Sequence, residues 1–138
     1  MALVKTYPMF NKAQFDYKKT AMGIYDFAVN GGAVGNYVLF TLPKNTVITN
    51  VLIQCITTPA PTTTSTFALQ ANTAGDLLAA TAVGSNWNAG KLVAGIPVGT
   101  AATSVLLTAD RDITLVIGTQ AFTAGKFVVH CEYFEGGA

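Results

Sequence analysis

Charge is scarce in this sequence. Eight basic and seven acidic side chains leave a net charge of +1, and charged residues make up 11% of the 138 positions, where an ordinary soluble domain carries about 25%. So even a balance argues against a general nucleic-acid binder, which shows a basic stripe and a high pI. No direct nucleic-acid contact is expected. Histidine occurs once, at His130, and cysteine twice, at Cys55 and Cys131. A single imidazole leaves a nucleophile one candidate base or none, and two cysteines without CxxC spacing argue against zinc. Long apolar runs are missing too: the segments 37–42 (YVLFTL) and 51–56 (VLIQCI) are far short of the roughly 20 residues a membrane helix needs. The opening stretch MALVKTYPMFNKAQFDYKK is interrupted by Lys5, Pro8, Asn11 and Lys12, which leaves no unbroken apolar region for a signal peptide. There is no Asn-x-Ser/Thr triplet, hence no hint of a glycosylated ectodomain.

What is present is apolar: 51% of residues are hydrophobic and the mean hydropathy is +0.43. A chain of this length suits one domain with a real core. Its few charges cannot cover a monomer's surface, so the composition points to cover by other protein, in an obligate oligomer or a lattice.

The first residues differ from the rest. Lys5, Lys12, Lys18 and Lys19 are interleaved with Tyr7, Phe10, Phe15 and Tyr17, without a period of 2 or 3.6. A free arm is normally polar; four aromatics suggest one that docks, on its own domain or on a neighbour. The expected organisation is an extended N-terminal arm over 1–23 and a β-sandwich domain over 24–138.

From Ile24 onward, short β-branched or aromatic runs alternate with Gly, Pro, Asn and Asp. Strands are expected over 24–29, 37–42, 47–58, 66–71, 77–83, 91–96, 104–108, 113–117 and 126–134, with turns at Asn30-Gly31-Gly32 and Pro43-Lys44-Asn45 and a Pro/Thr loop, TPAPTTTS, over 58–65. The alanines of 77–83 would also suit a short helix. Without a convincing amphipathic helix, the fold class is all-β: a single antiparallel β-sandwich, jelly-roll-like, with the N-terminal arm. Alternation along the last strand puts Phe127, Val129, Cys131 and Tyr133 on the core face, and Val128, His130, Glu132 and Phe134 on the other.

Five features invite a chemical reading. NWNAGKLV over 86–93 returns as AFTAGKFV over 121–128, yet neither Gly-Lys pair completes a P-loop: Ser85 and Gln120 stand where its first glycine belongs, and Leu92 and Phe127 where its Ser/Thr belongs. A turn feeding a strand explains both copies. His130 and Cys131 are adjacent, but neighbours on a strand face opposite ways and cannot share a proton. Both cysteines share faces with valine or isoleucine and are expected as buried thiols, a disulfide following only if their strands pair in register. Asp110-Arg111-Asp112 offers too few oxygens for calcium, with Arg111 opposing a cation; a turn is the expectation, with Arg111 a candidate for pairing across a subunit boundary. Trp87, between Asn86 and Asn88, could stack a sugar or be buried in loop packing or a subunit contact. The seven acids are scattered, without the facing pair a glycosidase needs. No catalytic residue, cofactor or metal is expected. The candidate partner-binding residues are Tyr7, Phe10, Lys12, Phe15, Tyr17, Lys18, Lys19, Trp87 and Arg111.

The run GDLLAATAV, then AGKLVAGIPVGTAATSVLLTADRDITLVIGTQAFTAGKFVVHCEY, resembles small structural proteins of tailed bacteriophages, the jelly-roll-like decoration or cement subunits of capsids. The likeness spans about Ile24 to Tyr133 and is one of texture: Ala/Thr/Gly/Val strands, the ADRDIT turn and the terminal TAGKF strand. It implies a non-enzymatic homotrimer on the capsid surface, seated between subunits of the major capsid protein and stabilising the head, in a virion assembled in the host cytoplasm. The arm as a clamp onto the shell or an adjacent subunit is an inference from its own residues. A tail or fibre module binding a receptor or glycan through Trp87 is the alternative.

Overall fold

The computed structural model describes residues 18–61, 64–83 and 87–135. Among them the chain runs β1 (Lys19–Asp26), α1 (Phe27–Asn30), β2 (Gly35–Leu42), β3 (Thr46–Ala60), β4 (Thr66–Gln70), β5 (Leu78–Ala82), β6 (Leu92–Val98), β7 (Val105–Leu106), β8 (Arg111–Gly118) and β9 (Ala124–Glu135). The strands form two antiparallel sheets. One has the order β1-β9-β3-β6, with β7 on β3; the other has the order β2-β8-β4-β5. They pack face to face as a β-sandwich, the arrangement that buries one apolar face of each sheet against the other.

The core follows from alternation. Phe127, Val129 and Cys131 of β9 are buried, as are Val51, Ile53 and Cys55 of β3, Ile113, Leu115 and Ile117 of β8, and Phe67 and Leu69 of β4. Phe127 is the aromatic hub: its ring lies 5.0 Å from Phe67, 5.5 Å from Trp87, 5.9 Å from Tyr25 and 6.1 Å from Phe122, centroid to centroid. In β3 the register shifts between Ile48 and Asn50. That bulge moves the inward positions from Thr46 and Ile48 to Val51, Ile53 and Cys55.

Two strands differ most in extent from the sequence expectation. The first starts earlier, at Lys19, and stops at Asp26, where the carboxylate accepts a bond from Ala28 N at 3.0 Å and starts a helical turn that Gly31, at φ 75°, closes. The third runs on into the first residues of the expected loop, to Ala60, which pairs with Ala124 of β9. The expected strand over 77–83 forms at Leu78–Ala82, and the helix its alanines would also suit does not, because its backbone pairs with β4.

The Gly-Lys repeat is architectural. Gly90, at φ 86°, donates to Cys55 O at 2.9 Å, and Leu92 then pairs with Gln54. Across β3, Lys126 pairs with Thr57 and Phe127 with Cys55. The two copies thus start the strands on either side of β3 at the same height.

Candidate assembly interface

The two outer faces of the sandwich differ in chemistry. On the four-stranded sheet the outward positions are mixed: Asn36, Val38 and Thr41 of β2, Asp112, Thr114 and Val116 of β8, Thr66, Ala68 and Gln70 of β4, with Val38 60% exposed. That is the usual solvated face of an antiparallel sheet. On the five-stranded sheet large apolar side chains are more numerous, Met22, Ile24, Leu52, Leu92 and Val98 among them, with Thr20, Asn50, Gln54, His130 and Glu132 in between. Tyr25 is buried and Ala21 packs against the core, so Thr20, Met22 and Ile24 point outward, and pairing with β9, β3 and β6 extends them into rows. Met22 pairs with His130, His130 with Leu52 and Leu52 with Ala94; one row up, Ile24, Val128, Gln54 and Leu92 align. At the opposite end of the face Phe134 pairs with Val47, and Val47 with Leu106. Met22 is 57% exposed, Ile24 51%, Leu52 44% and Leu92 65%, so this ordered apolar surface is covered by nothing in the described chain.

Strand spacing makes the face about 14 Å wide and 20 Å long, close to the largest apolar patch a typical monomer exposes, which is often functional. Charge lies at its ends. Lys18 Nζ is 3.4 Å from Glu132 and Lys19 Nζ 2.9 Å from Glu135 at one end; Lys126 and Asp26 are 3.9 Å apart at the other. Between them lies an open depression of about 370 Å³ lined by Thr20, Asn50, Leu52, His130 and Glu132. Exposed apolar side chains interspersed with polar ones match the composition of a protein–protein interface, which is about as apolar as the rest of a protein surface.

The residues singled out from sequence fall in different places. Lys18 and Lys19 pair with β9 of their own chain. Tyr7, Phe10, Lys12, Phe15 and Tyr17 lie outside the described residues. Trp87 is 1% exposed, its ring 4.5 Å from Phe67, and Cys55 Sγ donates to its carbonyl at 3.0 Å. A ring enclosed in the core can stack neither a sugar nor a partner, which corrects its place among the binding candidates and withdraws the platform of the glycan alternative. Arg111 is held within the chain, its Nε donating to Asn72 Oδ1 at 3.2 Å and its Nη2 to Thr108 Oγ1 at 3.1 Å. The flanking carboxylates are both engaged within the chain, Asp110 accepting from Lys44 N beyond the end of β2 and Asp112 from Thr41 Oγ1 across the β2–β8 pair, both at 2.8 Å.

Cys55 and Cys131 are free, buried thiols on paired strands, but the register sets Cys131 opposite Val51 and Cys55 opposite Phe127. Four residues of offset is about 13 Å along a strand, beyond the Cα separation a disulfide spans. Burial pushes the Cys131 thiol up to about 12 and raises that of Cys55, the opposite of an activated nucleophile. His130 points out of the sheet among Met22 and Leu52, away from the neighbouring Cys131 in the core. Sequence reasoning missed the face itself. Its one signal was the apolar residues at the outward positions of the last strand, Val128 and Phe134.

No family model matches the chain, and no curated protein matches it in sequence. Among solved structures, the fold is similar to that of a chain in the cyanophage Pam1 capsid asymmetric unit, at 15% identity and a TM-score of 0.68 over 98% of this chain and 94% of that one. A chain in the acidic stable capsid structure of Helicobacter pylori bacteriophage KHP30 is similar at 16% identity and a TM-score of 0.65, over 87% of this chain and 89% of that one. A third, in the capsid of Ralstonia phage GP4, is similar at 15% identity and a TM-score of 0.63, over 97% and 93%. At such identities the likeness is one of fold: an antiparallel sandwich that phage capsids contain.

Proposed function

We propose that this chain is a non-enzymatic structural protein of a phage virion, a decoration or cement subunit that sits on the outer shell between major capsid subunits and stabilises the head. The observation that carries this reading is the ordered apolar outer face of the five-stranded sheet: Met22, Ile24, Leu52 and Leu92 stand exposed on it, as in a protein meant to be covered by others. The likeness to chains in three phage capsid structures supports the virion setting. In this reading the orders β1-β9-β3-β6 and β2-β8-β4-β5 are the two halves of a jelly roll, with β7 a short addition.

The resemblance in sequence texture supplies the homotrimer and the surface position. Three arms on one trimer turn the later contacts into intramolecular ones, so individually weak arms bind together roughly 10² to 10⁴ times more tightly than one alone. The test is co-sedimentation of the purified chain with empty expanded heads of the phage that encodes it, followed by heating of the decorated heads. Saturable binding at a fixed copy number, with heads that rupture at higher temperature, is expected. Heads that pellet without the protein sink the reading.

A further inference from the structure

We propose that β1 is a docking edge for β1 of a second copy, the two strands pairing antiparallel about a two-fold axis so that two five-stranded sheets join into one. This deepens the reading of the protein as an assembly subunit and rests on it. Among the described residues one sheet ends in β1 and β6, the other in β2 and β5. An open edge presents unpaired N–H and C=O groups that template another strand, and proteins blunt it with proline, bulges or charge. Three of these edges are blunted. β6 carries Pro97, which has no N–H to give; Ile96 N is spent on Leu77 O at 2.7 Å, and the register on β3 jumps between Asn50 and Leu52. β2 is bulged between Val38 and Phe40, and β5 falls out of step with β4 between Phe67 and Leu69. β1 has none of these devices. It pairs with β9 in unbroken register from Lys19 to Asp26, and the residues between those two, TAMGIY, hold neither charge nor proline. A Cβ added at Gly23 would stand 2.6 Å from Leu39 Cβ. Gly23 faces inward with Ala21 and Tyr25, so β2 lies under β1 rather than beside it.

Register singles out a second copy as the occupant. A two-fold axis normal to the sheet keeps outward side chains outward, so each residue opposes one of the same parity. Centred on Met22, the pairing sets Met22 against Met22 of the second copy, Thr20 against its Ile24 and Lys18 against its Asp26. Within one chain Lys18 already meets Glu132 at 3.4 Å, and Asp26 meets Lys126 at 3.9 Å. Charges therefore alternate across the joint: Glu132 and Lys18, then Asp26 and Lys126 of the second copy, and the same again at the other end. Centring on Gly23 would set Thr20 against Asp26, and centring on Ala21 would set Lys18 against Ile24; neither opposes the charges. Met22 and Ile24, 57% and 51% exposed, gain cross-strand neighbours in the favoured register. The contact is isologous, so it joins copies, or trimers of them, in pairs.

The experiment uses the purified full-length chain without shells. Met22→Cys is oxidised mildly with diamide; the native thiols are buried and serve as silent background. A disulfide-linked dimer is expected. Thr20→Cys and Ile24→Cys should link when mixed and far less when alone, because each then meets its own kind at an offset of four residues, about 13 Å. Leu92→Cys, exposed on the same face but on the opposite edge strand, sets the level of chance collision. Adding Lys18→Asp to Met22→Cys places like charges opposite each other and should lower the dimer yield several-fold with the melting temperature unchanged. A Met22→Cys yield no higher than that of Leu92→Cys overturns the proposal, as does Thr20→Cys linking as well alone as in the mixture. Shell binding is scored apart. A chain that pairs through β1 but leaves heads bare overturns the capsid reading alone, and one that binds heads without linking overturns the pairing alone.

Discussion

Trp87 and Cys131 show how little a residue's type says about its use. Asparagines flank the tryptophan in sequence, yet its ring fills the gap between Phe67 and Phe127 at 4.5 and 5.5 Å. Trp87→Ala should destabilise the fold by about 3–5 kcal/mol, as truncating a large core aromatic does; denaturant unfolding read by circular dichroism checks it, and a loss below about 1 kcal/mol would place the ring at the surface. For Cys131 the sign follows from burial. Its thiol is raised from 9.0 to about 12, and the Tyr25 hydroxyl, buried and facing Tyr37 and Asp26, from 10.0 to about 12. An unfolded chain ionises these groups first, so the stability they contribute is complete below about pH 9 and declines as pH rises towards 12. Melting temperatures across that range should fall, and iodoacetamide at pH 8 should label neither thiol until the protein unfolds.

At the scale of elements, the connections are as specified as the strands. Between β4 and β5 the Asp76 carboxylate accepts bonds from the backbone N–H groups of Ala71, Asn72 and Thr73 at 2.7, 2.9 and 3.2 Å. The loop it shapes presents Asn72, which bonds Leu106 O and Arg111 Nε and so ties β7 and β8 to this end of the sandwich. Asp76→Ala should cost about 2 kcal/mol, in the range of a bond to a charged acceptor, and speed hydrogen exchange at those three amides first. Asp76→Asn, keeping one acceptor oxygen, should recover part of the loss. The Gly-Lys repeat belongs to this scale as well: both copies were legible as starts of strands, but that they flank one strand at equal height comes from pairing.

For the whole molecule, the apolar side chains on the outer face of the five-stranded sheet predict how it responds to added charge. Ile24→Lys and Leu92→Lys lie on the apolar face and touch nothing in the core, so each should leave stability within about 0.5 kcal/mol of the parent while lowering self-association measured by light scattering. A variant that melts much earlier would mean the face is needed to fold rather than to assemble. Among the described residues both thiols are buried, and the Asp110 and Asp112 carboxylates accept from Lys44 N and Thr41 Oγ1.

By itself the sequence determined the all-β class, the inward set of the last strand and the burial of both cysteines, because these depend on alternation, a property of neighbours along the chain. Its scarcity of charge also raised the expectation of cover by other protein, since composition counts charges wherever they fall. Only the tertiary structure decided which surface is left uncovered. Met22, Leu52 and Leu92 lie far apart in sequence and become one face through strand register, and the β3 bulge after Ile48 resets which of its residues look outward. Trp87 and the separated thiols are of the same kind: their surroundings come from strands distant in sequence, and no local pattern records them.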